Sequence, residues 1–205
     1  MTGATFTPKR AISHQPFDRK FVFMLTDDEE AVLVARSLKG DGRAYGRLID
    51  AYQHVLFNVA LRMVGDREDA RDVTQNVFIK AFENLSTFDC RHRFFSWIYR
   101  IMINESLNHV SRAKHLVPLD EAMVSPQKGP DVSAGEREVG EIIQRALLEL
   151  STDYKEVIIL RHFVQLSHHE MSEALDIPEK TVKSRLHSAR QILGGILRKR
   201  GLGAT

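Results

Sequence analysis

The chain has 205 residues, with 29 Lys and Arg against 27 Asp and Glu, so its formal net charge is only +2. With 43% hydrophobic and 27% charged residues it is apolar enough to fold around a core, and its length allows one domain or two small ones. A lone cysteine, Cys90, excludes an intramolecular disulfide scaffold and points to a reducing, cytoplasmic setting, while the apolar run Phe21 to Leu25 is far shorter than the roughly 20 residues that cross a bilayer, so membrane insertion is not expected.

Residues 1–25 read as an N-terminal extension, basic at Lys9, Arg10, Arg19 and Lys20, and either disordered or packed on a partner. Helical signals begin at Thr26. Thr26 with Glu29 has capping-box spacing, in which hydroxyl and carboxylate each satisfy a backbone N–H that the first turn leaves open. Gly40-Asp41-Gly42 and Gly65-Asp66 then interrupt the periodicity, and Asp66 is placed to cap a helix whose first turn carries Glu68 and Asp69 at the positive end of its dipole. In that helix Ala70, Val73, Val77 and Ala81 recur at helical spacing and are expected to face the core; in the next, Ile98, Ile101 and Met102 recur likewise beside Trp97. Pro118, Pro126, Gly129, Pro130 and Gly135 cluster in a stretch without periodicity, so 114–134 reads as a flexible linker between helical domains over 26–113 and 135–200, with a tail at 201–205. Alternating strand patterns are nearly absent. The expected fold is all-α, about four helices on each side of the linker.

Charge is segregated despite the near-neutral total. Residues 90–115 hold Arg91, Arg93, Arg100, Arg112 and Lys114 against Glu105 alone, and residues 179–205 hold seven bases against Glu179, whereas 116–157 is acidic. Two basic patches flanking an acidic stretch suit contact with a polyanion.

The most specific local signal runs from Leu166 to Leu193. Ser167 and Glu170 repeat the capping-box spacing; Met171, Ala174 and Leu175 mark the inner face of a short helix; Asp176-Ile177 make a tight turn; and Pro178 opens a longer helix with Val182, Leu186, Ala189 and Leu193 on one side. The opposite side carries Lys180, Thr181, Lys183, Ser184, Arg185, His187 and Ser188. This is a helix-turn-helix pattern, in which the second helix presents basic and hydrogen-bonding side chains to a major groove. Lys183, Ser184 and His187 form the strip expected to face bases, with Arg185 and Arg190 to the sides. His169-Glu170 begins like a zinc-hydrolase motif, but Glu173 stands where the second histidine is needed, so a catalytic zinc site is not expected.

Taken together, Ala44 to Tyr52, Asp69 to Phe82, Phe94 to Asn104 and Ile177 to Arg190 resemble, in that order, four helices of bacterial RNA polymerase sigma factors of the extracytoplasmic-function (ECF) group. The resemblance implies a promoter-specificity subunit, not an enzyme and without metal or cofactor of its own, with core RNA polymerase, promoter DNA and an anti-sigma factor as partners. It implies polymerase docking by Asp69, Asp72, Gln75 and Asn76, with Val73, Val77, Ala81 and Phe82 buried behind them, minus-ten recognition by Arg91, His92, Arg93, Arg100 and Asn104, and minus-thirty-five recognition by the basic face of the last helix. On this reading Asn104 and the loop before Phe94 form a polar pocket for an unstacked base, with the arginines on phosphates. The chain departs from the family pattern at four places: Asn76 replaces the usual glutamate, Asp176 a common turn glycine, Ser188 an often basic residue, and the loop Asp89-Cys90-Arg91-His92-Arg93 lacks the usual glycine and is unusually basic. The competing reading is a one-component helix-turn-helix regulator, which would need a sensing or dimerising domain that 26–113 does not announce.

Overall fold

The computed structural model of the protein describes residues 25–116 and 134–202. Among these residues it contains eight α-helices and no strand: α1 (Asp27–Leu38), α2 (Gly42–Val64), α3 (Arg67–Glu83) and α4 (Phe94–Leu116), then α5 (Ala134–Leu148), α6 (Thr152–Ile158), α7 (His168–Leu175) and α8 (Glu179–Lys199). A 3-10 turn (Leu85–Thr87) follows α3, and a π-helical turn (Ile159–Phe163) follows α6. The expected all-α class in two helical parts therefore holds. Most of the expected linker, most of the extension and the last three residues lie outside the described residues; at the linker's edges, 114–116 are the last turn of α4 and Ala134 opens α5.

Local chemistry sets the helix ends. Thr26 and Ser167 both complete capping boxes with Glu29 and Glu170. Asp66 accepts from the amides of Glu68 and Asp69 at 2.8 and 3.1 Å. At the start of α2, Asp41 caps Arg43 and Ala44, and the Arg36 guanidinium bound to it holds its carboxyl below the usual aspartate range. The α2 helix closes on Gly65 in the left-handed region, φ 91°. A Cβ there would stand 2.9 Å from Leu148 Cδ1, so glycine serves both the backbone conformation and a close approach by α5.

In the N-terminal part α2 is the central helix. Its buried residues, including Leu48, Tyr52, Leu56, Val59 and Met63, repeat at three and four positions, and α1, α3 and α4 pack around them. On α3 the buried stripe is Ala70, Val73, Thr74, Val77, Phe78 and Ala81. Phe82, expected in this core, is 52% exposed. One residue past Ala81 turns the helix by about 100°, and the Phe82 ring lies on the outer side of Tyr45, centroids 5.0 Å apart. Phe78 fills the core instead, and its carbonyl accepts from Tyr45 Oη at 2.5 Å.

In the C-terminal part Val157, Ile158, Ile159 and Leu160 are all buried, a run too apolar for one face of a regular helix. The π-turn, with Val164 N donating to Ile159 O at 3.0 Å, widens the helix where this run ends. The two parts do not stand apart. One continuous apolar cluster runs from Leu48 and Tyr99 through Leu147 and Leu160 to Leu186. Gln144 of α5, only 2% exposed, donates from Nε2 to the carbonyls of Leu61 and Arg62 at 3.1 and 3.3 Å, while Arg62 donates back to its Oε1 at 2.9 Å. The Arg62 guanidinium also covers the Phe163 ring at 4.5 Å.

Candidate polymerase and nucleic-acid interfaces

The outer face of α3 follows from its inner one. With Val73, Val77 and Ala81 buried, Asp72, Gln75 and Asn76 are exposed. Asp69 differs: it is half-buried, and its Oδ2 lies 3.1 Å from Nε2 of His109 on α4. One turn further on, the same outward strip continues through Ile79, 56% exposed, and Phe82. The face is polar at its N-terminal end and apolar at its C-terminal end. Sequence reasoning assigned only the polar end; the steps from 72 through 75, 76 and 79 to 82 would have extended it.

The residues assigned to minus-ten recognition do not converge on one place. Asn104 lines a hollow of about 300 Å³ between the end of α3 and α4, together with Lys80, Asn84, Thr87, Trp97 and Ile101. Two amide side chains, a cation and a half-buried indole offer hydrogen bonds and apolar contact to a small planar ring. Lys80 is held there by Glu105 across the helix pair, Nζ to Oε1 2.5 Å. Phe94 and Tyr99 are buried and therefore belong to the core, whereas Trp97 is half-buried between Phe88 and Phe94. Arg91, His92 and Arg93 line a second, smaller hollow of about 170 Å³ with Asp27, Glu30, Cys90 and Glu173. So the basic loop and Asn104 form two separate sites, unlike the single pocket expected. Arg91 is folded onto Asp89, whose carboxyl its side chain and backbone N–H hold down at about 2. Arg93 pairs with Asp27 at 2.9 Å. Arg100 turns the other way, towards the helix-turn-helix.

One residue organises this region without having been singled out in the sequence. Glu30 of α1 is 4% exposed. Its Oε1 accepts from the amide of Phe94 at 2.6 Å, and its Oε2 accepts from the Tyr52 hydroxyl. An acidic side chain from α1 thus caps the N-terminus of α4, where the amide has no intrahelical partner and the dipole favours a negative charge. The spacing gives only a weak hint, since Glu30 sits in an acidic first turn that looks solvated.

In the C-terminal part α7 and α8 form the helix-turn-helix. Asp176, in place of glycine, adopts the left-handed conformation, φ 55° and ψ 45°, at the end of α7. Val182, Leu186 and Ala189 are buried and Leu193 partly so, which leaves Lys180, Lys183, Ser184 and His187 exposed. Thr181, Arg185 and Ser188 are intermediate at the flanks. Arg185 reaches back to Asp153 of α6 at 2.9 Å, and Lys183 lies 3.5 Å from Glu179 within its own helix. His169 sits between Glu173 and Glu179, at 3.8 and 3.3 Å. Among the described residues no group of three or more His, Cys, Asp or Glu could hold a metal ion, and no helix is long and apolar enough to cross a membrane.

Known proteins match this arrangement in the same order. The family model for Sigma-70 region 2 matches residues 48–115, and that for Sigma-70 region 4 matches residues 140–193. The ECF RNA polymerase sigma factor SigW of Bacillus subtilis is 32% identical over 173 residues, covering 78% of this chain and 92% of its own length. The RNA polymerase sigma-H factor of Pseudomonas aeruginosa is 32% identical, covering 83% and 94%, and the ECF RNA polymerase sigma-E factor of Escherichia coli K12 is 31% identical, covering 82% and 93%. The solved structure of CnrH in complex with the cytosolic domain of CnrY superposes with a TM-score of 0.66 at 26% identity, over 84% of this chain and 99% of that one. With both regions matched in order and relatives aligned over most of both lengths, the chain belongs to the ECF RNA polymerase sigma factors.

Proposed function

We propose that this sigma factor, working in the cytoplasm, divides promoter recognition among three surfaces: α3 docks on core RNA polymerase, the Asn104 hollow takes one unstacked base of the minus-ten element, and α8 reads the minus-thirty-five element. That it is a promoter-specificity subunit, binding core polymerase and promoter DNA and not itself an enzyme, follows from its family. Likeness to CnrH, solved with the cytosolic domain of CnrY, supports an anti-sigma partner.

The observation that carries the base-reading role is the hollow between α3 and α4. It sets the Asn104 and Asn84 amides beside the half-buried Trp97, so a base placed there meets hydrogen-bonding edges and an apolar wall together. Unpairing that base costs a few kcal/mol, which stacking at about 1–3 kcal/mol and edge hydrogen bonds offset. On α3, Asp69, Asp72, Gln75 and Asn76 give the docking face its polar end. On α8, Lys183, Ser184 and His187 have the exposure that groove contact requires, Lys180, Thr181 and Ser188 flank them, and Arg185 braces the helix through Asp153.

Run-off transcription from linear templates with purified core polymerase tests this reading. Asn104→Ala is expected to change the ranking of minus-ten variants at one base position, because base contacts specify while phosphate contacts position. An equal loss on every variant refutes the base-reading role.

A further inference from the structure

The two halves of the chain meet at Arg100 of α4. Its Nη2 donates to Glu173 O at 3.0 Å, its Nε to Ala174 O at 3.3 Å, and its Nη1 lies 3.8 Å from Asp176 Oδ2. Resting on the assignment of Arg100 to the minus-ten surface, we propose that the C-terminal end of α7 is a docking surface for the minus-ten helix of the same chain, and that promoter DNA must displace it from Arg100.

The chemistry of that end suits a guanidinium. The last carbonyls of a helix have no intrahelical partners and carry the negative end of its dipole. Asp176 closes α7 in the left-handed region, so the chain turns away and leaves the Glu173 and Ala174 carbonyls accessible. A glycine would make the same turn more easily. The aspartate adds a carboxylate that glycine lacks, and it points at Arg100. This gives the departure from the family's turn residue a function: the left-handed cap is kept and an anionic group is gained. Glu173 also lines the hollow that holds Arg91, His92 and Arg93. Two carboxylates and two carbonyls from the helix-turn-helix therefore lie against the basic surface where phosphates are expected.

The guanidinium cannot serve both partners. A phosphate competes for the donors that now reach Glu173 and Ala174, and a nucleic acid strand along the basic loop meets Glu173 and Asp176 as like charges. The Gln144 contact with α2, together with the approach of Leu148 to Gly65, also holds the closed form, through α2 and α5. Opening therefore separates the halves, whereas loss of one latch contact shifts the balance between closed and open.

The test uses the full chain with Asp176→Gly, which suits the backbone, and Arg100→Ala. Spin labels at Asn108→Cys and Gln191→Cys, both exposed, in a Cys90→Ser background report the separation of α4 and α8 by pulsed electron resonance. Binding of fluorescein-labelled oligo(dT) at low salt reports access to the basic surface. If closed molecules outnumber open ones about tenfold, freeing the surface tightens apparent binding by up to about tenfold. Asp176→Gly is expected to broaden the distance distribution towards longer separations and to tighten oligo(dT) binding by about two- to fivefold, the range that losing an exposed ion pair supports. Arg100→Ala is expected to open the chain while weakening binding. Unchanged distances and affinity for Asp176→Gly, with binding still lost in Arg100→Ala, overturn the docking proposal and leave the minus-ten role of Arg100 standing. Unchanged binding in Arg100→Ala removes Arg100 from the minus-ten surface and overturns the competition with it.

Discussion

Replacing Glu30 with alanine removes a side chain that joins α1, α2 and the start of α4 through hydrogen bonds. Its carboxylate accepts from Phe94 N and the Tyr52 hydroxyl in a site 4% exposed to solvent. Each hydrogen bond to a charged group contributes about 1.5–3 kcal/mol, and a buried donor left without its acceptor costs about 1–3 kcal/mol. Alanine leaves two such donors, the Phe94 amide and the Tyr52 hydroxyl, without their acceptor, so Glu30→Ala is expected to destabilise the chain by about 2–6 kcal/mol. At about 2–4 °C per kcal/mol for a chain of this size, the melting temperature falls by about 4–24 °C. Glu30→Gln keeps a carbonyl oxygen for one of the two donors and is expected to cost about 1–2 kcal/mol. Urea titration followed by circular dichroism gives these differences, and hydrogen exchange at the amides of Phe94 to Trp97 shows whether the start of α4 loosens. A Glu30→Ala chain within about 0.5 kcal/mol of the parent, or glutamine and alanine variants of equal stability, refutes the capping argument; that threshold is the usual scatter of surface substitutions.

Two further predictions concern roles that the sequence did not assign. Ile79→Ser with Phe82→Ser is expected to leave urea stability within about 1 kcal/mol, because both side chains are more than half exposed, yet to weaken core polymerase binding at least tenfold in a pull-down titration. Unchanged affinity removes the apolar end of α3 from the docking face. Burial, then the neighbouring Asp153, pushes the Glu156 carboxyl up to about 7 from its ordinary 4.5, against an opposing pull from Arg185. The buried Tyr99 hydroxyl faces the same charge. A raised carboxylate pKa means that the folded chain holds the proton more tightly, so this stabilisation is complete below about pH 4.5 and is lost as pH rises through about 7. The upper bound is about 3 kcal/mol, reduced by the solvent that still reaches the group. Glu156→Gln is expected to be more stable than the parent at pH 8 and to lose that advantage at pH 5; equal urea midpoints at pH 8 refute it.

Most of the helix boundaries were legible in the sequence because they rest on contacts within a few residues. Thr26 with Glu29, Asp66 with the amides two and three positions on, and Ser167 with Glu170 all form as their spacing implies. The inner face of α8 was legible too, since a stripe that repeats every three or four residues turns to one side whatever it packs against. Phe82 marks the limit of that reasoning: an aromatic residue beside a buried stripe looks like core until Phe78 and Tyr45 are seen to fill the space. The separation of Asn104 from Arg91, His92 and Arg93 was equally hidden, because it depends on how the loop after α3 folds against α1. What the sequence alone determined was the all-α class, the order of its parts, the capped helices and the basic face of the helix-turn-helix. Only the tertiary structure decided that Glu30 caps α4 from 64 positions away and that Arg100 lies on the end of α7, more than 70 positions on. Periodicity and capping are encoded by neighbours along the chain, whereas these contacts exist only after the helices have packed, and no local spacing records them.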